Sequence, residues 1–367
     1  MPKALEIIVQ KYGGSSLATP EQLKAIAQGI VQRVQAGKAL VVVVSAMGRS
    51  TDELVQLAGQ VTSGNHRREM DMLLSTGERI SMALLSMAIA DLGVEAISFT
   101  GSQCGIITND SHANARIIEV RPVRVEDELE RGRVVIVAGY QGMSYKREIT
   151  TLGRGGSDTT ALALAAALRA EACEIYSDVA GVFSADPKVV LSAQKLEHAS
   201  YDELLTLARH GAQVLRDEAV AYAKNHGIKF AARKTGSDDP GTQIGTTTGL
   251  RAVSSSDQRL FGAGVRAQDL DPELVRALVY AGADGLLLAS DNLHGPRPEG
   301  FEPVKTISFV GQGLVDDPEA LATFLSLTEA RESFWTETLS LNARFDQNVD
   351  LKSLLQRLHD RLIDEKN

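Results

Sequence analysis

A mostly parallel α/β sheet between helical layers, followed by a smaller α+β domain, is the architecture this 367-residue chain predicts. Three observations carry the expectation. Residues 5–250 alternate β-branched runs with stretches of helical period, as a parallel sheet covered by helices does. The runs end in segments rich in Gly, Ser, Thr and Asp, and in open α/β sheets ligands collect at such strand ends. Turn-formers then crowd into residues 234–241 and 245–256, which sets a domain boundary near 250 and divides the chain into 1–250 and 251–367.

Leu5–Gln10 reads as a strand running into Lys11-Tyr12-Gly13-Gly14-Ser15-Ser16. The next helix opens with Thr19 as N-cap, Pro20 at its first position and Gln22 completing a capping box. Its apolar face is Leu23, Ile26, Ala27, Ile30, Val31 and Val34, and Gly37 stops it. Ala39–Val44 is nearly all apolar, the signature of a strand buried on both faces. Ser75–Arg79 reads as a helix start, with the helix running from Arg79 to Asp91 and a strand at Val94–Phe99. The pattern continues with helix Arg124–Glu130, strand Arg133–Ala138, helix Asp158–Arg169 and strand Cys173–Tyr176. Past the boundary come a helix at Pro272–Tyr280, a Pro/Gly-rich stretch at His294–Pro303 and a strand at Val304–Val310. Helices Pro318–Leu325 and Leu351–Ile363 follow, the last with Leu351, Leu354, Leu355, Leu358 and Leu362 on one face. No tandem repeat is apparent.

With 44% hydrophobic and 23% charged residues the chain has the composition of a soluble globular protein. Its net charge of −9 offers no basic footprint for nucleic acid. Cys104 and Cys173 cannot build a disulfide framework and read as small buried hydrophobes in a reducing cytosol. Met1–Lys11 lacks the apolar core of a signal peptide, and the runs Leu40–Val44 and Ala161–Leu168 are too short to cross a bilayer. The expectation is a cytoplasmic protein that binds neither membrane nor nucleic acid. The seven histidines lack metal-ligand spacing and no Gly-x-Ser-x-Gly is present, so no metal is assigned to side chains and a serine hydrolase is disfavoured.

Four segments carry chemistry. Lys11–Ser16, between a strand and a helix, is either a tight turn or an anion cradle in which Lys11 meets a phosphate. It matches neither a P-loop nor GxGxxG. Gly153-Arg154-Gly155-Gly156-Ser157-Asp158 opens a helix; it is a glycine-rich turn or a second cradle, with Arg154 able to grip a carboxylate or phosphate bidentately. There Asp158 could orient Lys11 or hold a metal. Residues 177–188 offer hydroxyls, carboxylates, an aromatic ring and a cation, enough for a nucleotide, although Asp186-Pro187 is also a common turn. Glu78 either favours a helix dipole or receives an ammonium group.

Together, Lys11–Ser16, LSTGERIS at 74–81, ITTLGRGGSDTT at 149–160 and IYSDVAGVFSADPK at 175–188 closely resemble the aspartate kinase family of the amino-acid kinase superfamily. VVVSAMGRSTDEL at 42–54, FTGSQCGIITNDSHANARI at 99–117 and VIVAGYQG at 135–142 strengthen the match, which covers residues 3–248. The resemblance implies an amino-acid kinase fold and transfer of the ATP γ-phosphoryl group to the β-carboxylate of L-aspartate, a step of amino-acid biosynthesis toward lysine, threonine and methionine. By that resemblance Lys11 stabilises the phosphoryl oxygens and Asp158 holds Lys11. Backbone amides of Gly13, Gly14, Gly155 and Gly156 cradle phosphates beside Ser15. Glu78 takes the α-ammonium, Arg154 a carboxylate, and Ser45, Thr51, Gly155 and Ser157 complete the aspartate pocket. Ser177, Asp178, Phe183, Asp186, Lys188 and the Gln213 position meet the nucleotide, with Mg²⁺ bridging phosphates.

Two departures stand out. Gly211-Ala212-Gln213-Val214-Leu215 carries Gln213 where the family usually has Lys, and Lys188 replaces an Arg. The C-terminal part, where the family carries two ACT modules that bind lysine or threonine, shows one recognisable module at about 303–367 and a degenerate one before it. This implies weakened feedback, and the resemblance further implies a homodimer through the C-terminal domain. Two other readings stay open: a kinase for an aspartate analogue, and a non-catalytic ligand-binding subunit. The latter is favoured by Gln213 and opposed by Lys11, Arg154 and Asp158.

Overall fold

The computed structural model describes residues 5–153, 155–212, 215–270, 274–275, 277–290, 293, 297–329 and 333–363. The chain forms two compact units, Met1–Val182 with Leu215–Gly245, and Phe183–Val214 with Thr246–Asn367.

The first unit opens with β1 (Ile7–Tyr12), α1 (Pro20–Gln35), β2 (Ala39–Val44), α2 (Ser50–Val61) and α3 (Arg67–Ala90). It continues through β3 (Ala96–Phe99), β4 (Ile106–Thr108), β5 (Ile117–Val120), α4 (Val123–Glu130), β6 (Val134–Ala138), β7 (Gln141–Ser144) and β8 (Ile149–Thr151). Then come α5 (Gly156–Ala167) and β9 (Ala172–Ser177). The second unit supplies β10 (His198–Ser200) and α6 (Tyr201–Arg209) before the chain returns with α7 (Asp217–His226), β11 (Phe230–Lys234) and β12 (Thr242–Gly245). Within the first unit the main sheet has the order β12-β11-β9-β1-β2-β6-β3. All neighbours are parallel except β11–β12. The chain leaves β1 for β2 on one side and reaches β9 on the other, so the order reverses at β1, the place where α/β sheets open a ligand crevice.

Burial explains the element choices. The Thr19–Gln22 capping box forms, and the α1 face Leu23, Ile26, Ala27, Ile30 and Val31 is buried against β2 and β6 residues such as Val42 and Ile136. Helix α3 departs from the expectation. It begins at Arg67 rather than at Ser75, so Ser75–Arg79 lies in the middle of the helix and not at its start. Gly77 explains the misreading: it resembles punctuation, but a Cβ there would sit 2.8 Å from the Ala46 Cβ, so close packing demands its absence. By length and mean hydropathy α3 would pass as a membrane span. It carries the buried carboxylates Asp71 and Glu78, and Leu85 and Ile89 lie in the core beside α1 and β2. A separate four-stranded sheet, β5-β4-β7-β8, has no counterpart in the sequence reading, its strands being only three or four residues long.

The second unit adds β13 (Arg251–Ala263), β14 (Leu278–Ala281), β15 (Gly285–Ala289), β16 (Glu302–Gly311), α8 (Pro318–Thr328), β17 (Phe334–Glu337), β18 (Ser340–Phe345) and α9 (Leu351–Leu362). Its six-stranded sheet has the order β14-β15-β13-β16-β18-β17. Reversing that order exchanges β13, β14 and β15 with β16, β17 and β18. Residues 251–289, which as sequence show no recognisable module, thus repeat the strand pattern of 302–345. The helix expected at Pro272–Tyr280 is replaced over 278–281 by strand β14, while 272, 273 and 276 lie outside the described residues. Ile307, Phe309 and Leu341 form a core with Phe324 of α8 and Leu354, Leu355, Leu358 and Leu362 of α9.

Candidate active site

Strands β1, β2, β6 and β9 are parallel and in register, so their carboxyl ends share one edge, and the expected loops of the first unit collect there. Lys11, near the end of β1, places its Nζ 2.6 Å from Asp158 Oδ1 in the first turn of α5. Each side chain is 11% exposed, so the pair is largely desolvated and the cation is held in place. Gly13 lies against it: a Cβ there would come 3.6 Å from Lys11 Nζ.

The β2–α2 loop packs onto the same edge. Ser45 N–H donates to Tyr12 O at 3.1 Å and Gly48 N–H to Gly14 O at 3.0 Å. Gly14 leaves no room for a side chain, since a Cβ would sit 2.8 Å from Ala46 O. Ala46 N–H in turn donates to Glu78 Oε1 at 3.2 Å, which brings Glu78 beside Ser45. Glu78 is 3% exposed and its Oε2 has no hydrogen-bond partner among the described residues. Burial pushes its carboxyl up to about 7, against the lowering effect of local backbone N–H groups. A buried, half-satisfied carboxyl of this kind is suited to an ammonium ligand.

The α5 amino end is built by glycine. Gly153 and Gly155 take positive φ of 78° and 71°, and Ser157 packs against Gly139 so closely that a Cβ on the latter would meet Ser157 Oγ at 2.7 Å. Two of the four amides expected to cradle phosphate are already engaged, Gly13 N–H with Tyr176 O at 3.2 Å and Gly156 N–H with Gly153 O at 3.1 Å. Ser15 is exposed and Thr51 half-buried in the first turn of α2. At the end of β9, Asp178 is exposed and the Ser177 hydroxyl closes a turn with Val179. Arg154 and Gln213 lie outside the described residues.

Phe183, Asp186 and Lys188 belong to the second unit. Phe183 is half-buried, whereas Asp186 and Lys188 are exposed. The Asp186 carboxylate accepts the Lys188 N–H at 2.9 Å, so it also shapes its own turn.

Two buried networks escaped the sequence reading. Asp71 accepts from Ala113 N–H at 3.0 Å and Thr151 Oγ1 at 2.5 Å and lies 2.6 Å from His112 Nδ1, tying α3 to β8 and to the 112–114 turn. That turn adjoins the glycine-rich loop, because a Cβ on Gly153 would meet Asn114 Oδ1 at 2.8 Å. A carboxylate within the apolar stretch Met70–Leu74 was the available signal. On β9, Glu174 accepts from Gln10, Arg33, Arg233 and Tyr176. Burial would raise its carboxyl, but Gln10 and the two guanidinium groups outweigh it and hold the group below the ordinary value.

This edge combines a desolvated Lys–Asp pair at the sheet's switch point with glycine-lined loops around it. Residues 6–231 match the amino acid kinase family, and the chain belongs to it. Among individual proteins, it is 54% identical to the aspartokinase of Corynebacterium glutamicum over 241 residues, 65% of this chain and 57% of that one. It is 48% identical to aspartokinase 2 of Bacillus subtilis over 284 residues, 77% of this chain and 67% of that one. The chain therefore spans 57% and 67% of the length of these curated relatives. The structure of Escherichia coli aspartokinase III with aspartate and ADP matches at a TM-score of 0.80 and 20% identity, covering 97% of this chain and 99% of that one. At that identity the likeness speaks for the fold alone.

Proposed function

We propose that the chain is an aspartate kinase that transfers the γ-phosphoryl group of ATP to the β-carboxylate of L-aspartate, giving 4-phospho-L-aspartate and ADP. The observation that carries this reading is the Lys11–Asp158 pair facing the same loops as the buried Glu78. Sequence similarity to aspartokinases points the same way.

A carboxylate oxygen attacks Pγ while the bond from Pγ to the β,γ-bridging oxygen breaks, and both partners are anions. Catalysis is then mainly charge neutralisation and positioning. Lys11 spreads its charge over the transferring oxygens, and Asp158 keeps the ammonium from swinging away. Glu78 takes the α-ammonium of aspartate, Arg154 a carboxylate, and Ser45, Thr51 and Ser157 line the pocket. Ser177 and Asp178, and farther along the same segment Phe183, Asp186 and Lys188, are the proposed nucleotide contacts. No group of three or more potential metal ligands occurs among the described residues. Mg²⁺ bound with ATP would supply further charge neutralisation. Residues 251–367, which carry the repeated strand pattern, are the proposed ACT-type regulatory domain and homodimer contact.

ATP-dependent acyl-phosphate formation on L-aspartate, trapped with hydroxylamine, tests the assignment. Wild type forms hydroxamate, and Lys11→Ala lowers kcat by about 10²-fold or more, the scale of losing one preorganised charge donor. A wild-type chain inactive on aspartate but active on an analogue would shift the substrate, and activity unchanged in Lys11→Ala would remove Lys11 from the chemistry.

A further inference from the structure

The segment that follows β9 is folded into the core of the second unit, and the C-terminal helix grips it. Ala185 and Val190 are buried there with Leu354, Leu355 and Leu358 of α9. Ser184 N–H donates to Gln194 O at 2.8 Å and Val253 N–H to Ser184 O at 2.8 Å, closing the segment into a loop against β13. At its centre stands His359 of α9, fully buried. Its Nε2 lies 2.8 Å from Ser184 Oγ and its Nδ1 3.3 Å from Ser192 Oγ. The Ser184 hydroxyl also accepts the Gln194 N–H at 2.8 Å. A neutral imidazole, accepting at one nitrogen and donating at the other, satisfies both hydroxyls. One side chain thus pins both ends of the stretch that contains Asp186 and Lys188.

A histidine costs more to bury than the leucines around it, and both of its nitrogens lie within hydrogen-bond distance of loop hydroxyls. We propose that His359 is a positioning residue for the nucleotide: the C-terminal helix holds the 183–192 loop in its ATP-binding shape through the His359–Ser184 bond. The inference rests on the reading of Phe183, Asp186 and Lys188 as nucleotide contacts. It gives the C-terminal helix a part in ATP affinity that its leucine face alone would not.

The two nitrogens can be replaced separately, because a Gln amide nitrogen reaches the depth of Nε2 and an Asn amide nitrogen that of Nδ1. ATP binding by calorimetry, with KM and kcat from the acyl-phosphate assay, is measured on full-length wild type, His359→Leu, His359→Gln, His359→Asn, Ser184→Ala and Leu355→Ala. His359→Leu and Ser184→Ala should each raise the Kd and KM for ATP about ten-fold, the scale of one lost buried hydrogen bond, with kcat and the aspartate KM little changed. His359→Gln should restore ATP affinity and His359→Asn should not. Leu355→Ala, which opens a cavity in the same core, should lower the melting temperature and leave the ATP Kd unchanged. Equal ATP affinity in wild type, His359→Leu and Ser184→Ala overturns the inference, as does a Leu355→Ala loss as large as that of His359→Leu. A wild-type chain that binds no ATP overturns instead the nucleotide reading beneath it.

Discussion

At Glu78 a carboxyl sits in the interior with one oxygen bonded to Ala46 N–H and the other to nothing among the described residues. Its value near 7 makes it a proton-linked receptor for a cation. Above pH 7 it is charged and, in its proposed role, would attract the aspartate ammonium; below, it is neutral and that attraction fades. The kcat/KM for aspartate should therefore rise with pH through about 7, and Glu78→Gln should raise the KM and abolish the rising limb. Stability moves the other way. Because the folded state holds this proton more tightly than the unfolded chain, stability falls as pH rises from about 4.5 to about 7. The loss is about 3 kcal/mol at one unit per 1.36 kcal/mol, so Glu78→Gln should melt higher than wild type at pH 8 and show less advantage at pH 4. Glu78, Lys11 and Asp158 were all legible as candidate residues, because each type matches the charge of what it would bind. The hydrogen-bonded carboxylates Asp71 and Glu174 were not, since their partners come from loops and strands distant in sequence.

Elements were legible where local chemistry and burial agree. Helix α1 forms as its capping box and apolar stripe predict, and β2 as its valine run predicts. Helix α3 shows where they diverge. Gly77 weakens a helix locally by about 1 kcal/mol against alanine, yet the helix runs through it. Gly77→Ala gains that propensity and forces a methyl against Ala46 at 2.8 Å, an overpacking that costs about 1–3 kcal/mol. The expected outcome is a net loss of about 1 kcal/mol in urea unfolding. A raised aspartate KM should accompany it, because Ala46 sits next to Ser45 and holds Glu78. Unfolding midpoints unchanged or higher would show that the loop yields freely.

For the whole chain, the repeated strand order of the second unit revises the picture of a single module with a degenerate neighbour. Strands of four or five residues such as β14 and β15 carry too little alternation to be told from any short apolar run. The weakened feedback expected from the sequence has a direct test: acyl-phosphate formation should change less than two-fold on adding millimolar lysine plus threonine. Strong inhibition would show that the second unit retains an effector response.

By itself, the amino-acid sequence determined the parallel α/β class of the first unit, the glycine-rich loops proposed to carry chemistry and the residue types able to handle anions. These depend on period, glycine and charge, all of which are local. Only the tertiary structure decided that Gly77 lies inside a helix, that 251–289 mirrors 302–345 and that His359 reaches back to Ser184. Each of these is a contact between residues far apart along the chain, and its geometry is set by packing rather than by neighbours in sequence.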